Sequence, residues 1–146
     1  MAKKQVPPNK RHKSDSVKKK PRLDTKIKST INENIVWQTN ILDLEGPWGW
    51  KNMDHGFFFD RLLPKIQHFE KMTWSEILGR TNHEVYINQI GKKAQNRLAK
   101  LKLDDNEKLV SLRLTGPQRL WGIRFENIFR ILWWDPKHEV YPSKKK

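Results

Sequence analysis

The sequence has no cysteine among its 146 residues. That absence excludes disulfide bonds, thiolate metal sites, iron–sulfur clusters and cysteine nucleophiles together. The sequence also lacks an apolar run of the length that a membrane-spanning helix needs, about 18 residues. Its first 20 residues lack the apolar stretch of a secretory signal. These absences predict a cytoplasmic protein with no membrane partner.

Motifs that hold nucleotides or metal ions are missing as well. Neither the phosphate loop GxxxxGK(S/T) nor the dinucleotide motif GxGxxG occurs. His83-Glu84 begins like a zinc-protease motif, but no second histidine follows four residues after the first. The remaining histidines show no metal-ligand spacing: His12, His55, His68 and His138. We therefore expect no cofactor and no metal site.

Positive charge dominates the sequence and is unevenly placed. Lys and Arg number 30 against 16 Asp and Glu, which gives a net charge of +14. Residues 1–30 contain 11 of the basic side chains and only two acidic ones, and residues 144–146 are all lysine. Residues 31–143 are nearly neutral. This distribution predicts a single globular domain at 31–143 between a disordered basic tail at 1–30 and a short basic tail at 144–146.

The N-terminal tail carries the densest cluster of positive charge. Lys18, Lys19 and Lys20 stand in a KKKPR run, which is suited to the phosphates of RNA or DNA. Such a tail can equally be a solubilising extension, and the sequence leaves both interpretations open.

Hydrophobic periodicity predicts an N-terminal strand followed by two to three helices. A β-branched run at residues 35–42 predicts the strand, and apolar residues at helical spacing from Phe57 to Phe69 predict the first helix. Pro64 is expected in the first turn of that helix or at a kink. Thr73 and Glu76 have the spacing of a capping box for a short helix, and Asn88 can cap a helix covering about residues 90–102.

The C-terminal third changes to the period of two that is typical of strands. Strand-like runs at residues 109–115, 119–125 and 128–134 are joined by short polar links, which predicts an antiparallel meander, and 139–141 is a fourth short run. The predicted class is therefore α+β, with helices packed on one face of a small sheet.

Three tryptophans of the meander are candidates for stacking on bases. Trp121, Trp133 and Trp134 lie on the predicted strands, where indoles more often belong to the core. Adjacent strand residues face opposite ways, so we expect one of Trp133 and Trp134 in the core and the other at a surface.

The meander also carries the best candidates for a functional site. Arg113 lies on the first predicted strand of the meander and Arg119 and Arg124 lie on the second, and guanidinium groups bind phosphate oxygens in a bidentate way. His138 follows the last strand and can transfer protons near neutral pH. Alternatively, these arginines cover a solvated face or pair with nearby carboxylates, and His138 merely closes a strand edge.

The element order and the ending of the chain resemble the RelE/ParE superfamily of bacterial toxins, especially the mRNA interferases RelE, YoeB and HigB. The similar part runs from Arg119-Leu120-Trp121-Gly122-Ile123 through residues 128–134 to residues 135–141. The resemblance implies that Arg119 binds phosphate, that His138 is the terminal acid/base, and that Arg113 is a basic position on the preceding strand. Tyr141 is a weaker match, because Glu139 and Val140 separate it from His138. The ending is also similar to that of a group of uncharacterised small bacterial or phage proteins.

The resemblance implies a metal-independent, ribosome-dependent endoribonuclease that cuts mRNA. His138, Arg119 and Arg113 would be catalytic, and a second set would bind substrate: Arg124, Lys137, Tyr141 and the tail lysines Lys18, Lys19 and Lys20. An antitoxin protein is the implied partner. Two alternatives stay open, a non-catalytic nucleic-acid-binding protein and a ParE-like toxin that acts by protein interaction, so whether the chain is an enzyme is undecided.

Overall fold

The computed structural model describes residues 30–142, and the predicted tail lysines Lys18, Lys19 and Lys20 lie outside them. The described part is an α+β domain built on a five-stranded mixed sheet. The strands are β1 (Val36–Gln38), β2 (His83–Tyr86), β3 (Lys108–Arg113), β4 (Arg119–Phe125) and β5 (Ile128–Asp135). They are arranged in the order β1-β5-β4-β3-β2. β1 pairs with β5 in parallel, and the other neighbours are antiparallel.

The helices are short. They are α1 (His55–Phe57), α2 (Leu63–Glu70), α3 (Trp74–Ile77) and α4 (Lys92–Lys100), and a π-helical turn at Phe58–Leu62 joins α1 to α2. Pro64 lies in the first turn of α2, where its missing N–H is not needed, as the sequence predicts. The capping box of α3 is also confirmed, because Thr73 and Glu76 each bond the other's backbone N–H. Asn88 does not cap α4, whose N-cap is Gly91.

The predicted meander of β3, β4 and β5 is confirmed, but other boundaries were wrong. The first strand covers three residues rather than eight, and residues 139–141 form no strand. β2 was not predicted at all. Only Val85 of its four residues is buried, so the segment has too little hydrophobic periodicity to stand out.

The helices cover both faces of the sheet, so the prediction of helices on one face was wrong. On the α2 face, Leu62, Phe69 and Trp74 pack with a core cluster that includes Leu120 and Phe129. On the α4 face, a second core cluster unites the helical residues Ala94 and Leu98 with five strand side chains: Val85, Leu109, Trp121, Leu132 and Trp133. The cause is visible in β4 and β5, whose consecutive residues are buried on alternate sides.

Trp133 and Trp134 face opposite ways as predicted, but neither is at a surface. Trp133 belongs to the α4-face cluster and Trp134 to the α2-face cluster, with exposures of 0% and 6%. Trp121 is buried as well. The expectation that one of Trp133 and Trp134 lies at a surface is therefore wrong, and all three indoles belong to the core, because each is enclosed by the packing of a helix against the sheet.

A β-bulge sets the register at the centre of the sheet. Trp121 is opposite Trp133, but Gly122 is opposite Ile131, which leaves Leu132 as the extra residue. A Cβ atom on Gly122 would lie only 2.5 Å from the Arg130 carbonyl oxygen. Glycine is therefore required at this position by close approach of the neighbouring strand.

A buried ion pair holds the loop that crosses the α4 face before α1. The Asp43 carboxylate accepts hydrogen bonds from Arg97 Nε at 2.9 Å and Nη2 at 2.8 Å, and from Trp133 Nε1 at 2.8 Å. Burial alone would raise the pKa of Asp43, but these bonds outweigh it and the pKa is lowered. The loop also inserts Trp48 into the α4-face cluster.

Candidate functional site

The strand register brings the predicted arginines together at one end of the sheet. Arg113 on β3 is directly opposite Arg119 on β4, and Arg119 is opposite Asp135 on β5. Trp121 is two residues after Arg119 and Trp133 is two residues before Asp135, and both are buried in the α4-face cluster. Because alternate strand residues share a face, Arg113, Arg119 and Asp135 project from the α4 face just beyond its core.

The chain after β5 is folded back over this end of the sheet by Asp135. Its buried carboxylate accepts the backbone N–H groups of Glu139 and Val140, each at 2.9 Å. It also accepts the indole N–H of Trp121 at 3.2 Å. Val140 enters the α4-face cluster, so the turn is held by both packing and hydrogen bonds. The turn carries His138, whose φ is 60°, in the left-handed region.

A pocket of about 380 Å³ lies between this turn and the sheet end. Its lining contains three arginines and two histidines and no carboxylate: Arg80, Thr81, His83, Arg113, Arg119, His138, Tyr141 and Pro142. The structure thus brings together Arg113, Arg119, His138 and Tyr141, four of the residues predicted from the sequence. Because the lining has cationic side chains and no acidic one, the pocket is suited to binding an anion.

The two central guanidinium groups are oriented by the hairpin between β3 and β4. Arg113 Nε and Arg119 Nη1 both donate to the Gly116 carbonyl, at 3.2 Å and 2.7 Å, and Arg119 Nη1 also reaches the Gln118 carbonyl at 3.1 Å. Among residues 30–142, no carboxylate forms a salt bridge with either. Each guanidinium has five N–H donors, so most remain for a ligand.

Electrostatics within the pocket affect Arg119 and His138 in the same direction. Burial lowers the pKa of Arg119, and the Arg113 charge lowers it further, against the opposing effect of Asp135. Burial is likewise the main cause that lowers the pKa of His138, followed by the Arg119 charge. His138 is therefore a neutral imidazole at neutral pH, a form that can accept a proton.

Arg124 and Lys137, predicted to bind substrate, lie outside the pocket. Arg124 is on the α2 face, where its guanidinium lies 4.8 Å from the Trp74 ring and Nε donates to the Glu126 carbonyl at 2.8 Å. It also donates to Thr30 Oγ1 at 3.4 Å, so it links the start of the domain to the sheet. Arg124 lies five residues after Arg119 on β4, so the alternation of side chains places the two arginines on opposite faces of the sheet. Lys137 is exposed on the turn.

Arg80 and His83 were not found from the sequence. His83 is opposite Ser111, and on the two-residue period it shares the α4 face with Val85, one of the core residues there. Recognition of β2 as a strand would have placed His83 beside the arginines. Arg80 follows Gly79 in the loop before β2, and no pattern in the sequence marks it.

The described residues contain no helix with the length and apolar character to cross a membrane. Within 30–142 there is also no group of three or more His, Asp or Glu side chains arranged to hold a metal ion. Comparison of the chain with protein-family models, with curated proteins and with solved structures finds no match.

Proposed function

We propose that the pocket binds the phosphodiester backbone of RNA and cleaves it without a metal ion. The observation that carries the proposal is the lining itself, which places two imidazoles among three guanidiniums with no carboxylate. Cleavage by the RNA's own 2′-hydroxyl requires a base, an acid and positive charge at the phosphate. The pocket offers a candidate for each requirement.

In the proposed reaction His138 is the base, because its lowered pKa leaves it neutral at neutral pH. It removes the 2′-hydroxyl proton as the 2′-oxygen attacks the adjacent phosphorus. The bond from phosphorus to the 5′-oxygen breaks, and His83 is the acid that gives that oxygen a proton. The products are a 2′,3′-cyclic phosphate and a 5′-hydroxyl end. Arg113 and Arg119 stabilise the charge that develops on the phosphate oxygens.

More specifically, we propose that the protein is a RelE-like toxin that cuts mRNA on the ribosome. The basic tail of residues 1–30 would add affinity for RNA, with a binding slope of about −0.7 per neutralised phosphate in a log–log salt plot. Such a toxin implies an antitoxin that covers the pocket. Tyr141 lines the pocket beside His138 and would contact the substrate.

Inducible expression in a bacterial host, followed by mapping of transcript 5′ ends, tests the proposal. We expect new cuts with the wild-type chain that are phased with codons and are lost with His138→Asn. Asparagine tolerates the left-handed backbone conformation of residue 138, so this variant removes the imidazole without new strain. His55→Asn is the matched control, because His55 is exposed at the start of α1 and should leave cutting unchanged.

Unchanged transcripts from a folded wild-type protein would contradict cleavage. The alternative is a nucleic-acid-binding protein that does not cut, which the same cationic pocket favours. Wild-type transcripts separate the two functions, and Arg119→Gln tests the pocket in either case, since it should weaken RNA binding and should also abolish any cuts that the wild-type chain makes. If Arg119→Gln changes neither property, the pocket does not bind RNA.

A further inference from the structure

A second groove adjoins the pocket on the other side of the sheet end. It has a volume of about 470 Å³, and its lining includes Lys65 and His68 of α2 together with Thr115 and Gly116 of the hairpin. Thr81 and Arg113 line both cavities. The two cavities therefore meet at Arg113, one on the α4 face and the other on the α2 face.

The meeting point exists because β2 is short. β2 begins at His83, opposite Ser111, so the last residues of β3 extend past it without a strand partner on that side. Asn82 Oδ1 accepts the free backbone N–H of Arg113 at 2.7 Å, which closes this edge to another strand. The Arg113 side chain consequently stands at an edge that no strand covers, where a flexible chain can cross from one face of the sheet to the other.

The charges along this path have one sign. The groove lining contributes Lys65, His68 and Arg113 and contains no carboxylate, as in the pocket. Lys65 Nζ is positioned over the Phe69 ring at 5.6 Å, which holds the ammonium group at the groove. A domain that is nearly neutral over residues 31–143 thus has two contiguous cavities whose linings include arginine, lysine and histidine side chains and no carboxylate.

We propose that the groove is a second subsite of the same site, in which a single RNA strand continues from the pocket over Arg113. This inference rests on the proposed function. Lys65 and His68 bind the phosphate next to the one held by Arg119. The Phe69 ring is buried, with 3% exposure, so the groove does not stack that ring on a base and recognises the backbone instead.

The test compares short and long RNA on the full-length chain. The probes are fluorescent 2′-fluoro oligonucleotides of two and six residues, which lack the attacking hydroxyl and stay intact during an anisotropy titration. The variant is Lys65→Gln with His68→Gln, two changes at the rim of the groove. We expect the hexamer to bind about tenfold more weakly and the dimer to be unaffected, because one charge-assisted phosphate contact is lost. The hexamer's log–log salt slope should also become shallower by about 0.7.

Lys100→Gln is the control for the groove variant, because it also removes a lysine charge but lies on an exposed position of α4 that lines neither cavity. If this control weakens the hexamer as much as the groove variant does, net charge explains the effect and the subsite is refuted. Equal loss for dimer and hexamer, or no loss for either, also refutes it. Arg119→Gln distinguishes the failures: if it weakens both probes while the groove variant weakens neither, only the subsite is wrong. If Arg119→Gln has no effect, the proposed function fails as well.

Discussion

Asp135→Asn tests how the fold holds His138 over the pocket. The Asp135 carboxylate is fully buried and accepts three hydrogen bonds, from the Trp121 indole and from the backbone N–H groups of Glu139 and Val140. An asparagine has one carbonyl oxygen and one NH₂ group in place of the two oxygens. In either orientation the NH₂ group faces at least one N–H donor and leaves it without an acceptor.

The magnitude follows from those contacts. A hydrogen bond to a charged group contributes about 1.5–3 kcal/mol, and a buried donor without an acceptor has a cost of similar size. We therefore expect Asp135→Asn to lower the free energy of unfolding by about 2–4 kcal/mol. A domain of ordinary stability, about 5–15 kcal/mol, stays folded after such a loss. The turn at residues 136–142 should loosen, so the RNA cleavage proposed above should fall with stability.

Urea unfolding followed by tryptophan fluorescence measures the global effect, and amide hydrogen exchange at Glu139 and Val140 measures the local one. Asp104→Asn is the matched control, because Asp104 is exposed and its substitution should change stability by less than about 0.5 kcal/mol. An Asp135→Asn protein with the stability of that control and with unchanged exchange at both amides would refute this account of the turn.

Two further predictions concern the bulge and the pocket. Gly122→Ala should lower the free energy of unfolding by about 1–3 kcal/mol, because its Cβ would meet the Arg130 carbonyl and the Phe129 ring. Gly79→Ala is the control, because no atom lies within 4 Å of the Cβ added there. Equal stabilities of the two variants would contradict the packing argument. The imidazole of His138 should titrate below 6.5 in an NMR pH series, because burial and the Arg119 charge disfavour its protonated form. Arg119→Gln removes that charge and should raise the midpoint of the His138 titration. An unchanged midpoint would show that Arg119 does not act on His138.

The sequence predicted the meander and the grouping of its arginines because both depend on a period of two. On that period Arg119 and Trp121 fall on one face of the strand and Arg124 falls on the other, and the register agrees with this arrangement. That period alone could not show that the Arg124 guanidinium stacks on the Trp74 ring and donates to the Glu126 carbonyl on the α2 face. A face assignment identifies which side chains are neighbours, whereas their partners depend on the packing of distant elements.

The incorrect predictions share a physical cause. Whether and where a short helix or strand forms depends on contacts with residues that are distant in the sequence. β2 has four residues and exists through its pairing with β3, and the N-cap of α4 is Gly91, whose N–H donates to the Val140 carbonyl. Neither contact is encoded in local periodicity. His83 was therefore not predicted in the site, although it lies on the same face as Arg113.

The backbone turn after β5 determines where the His138 side chain lies. His138 has φ of 60°, a left-handed conformation that glycine adopts without strain and that histidine, like asparagine, adopts more often than most residues do. The Asp135 hydrogen bonds and the burial of Val140 hold the turn in this arrangement. The imidazole is directed to a cavity where Arg113 and Arg119 lie, which is where a proton acceptor would meet a bound phosphodiester.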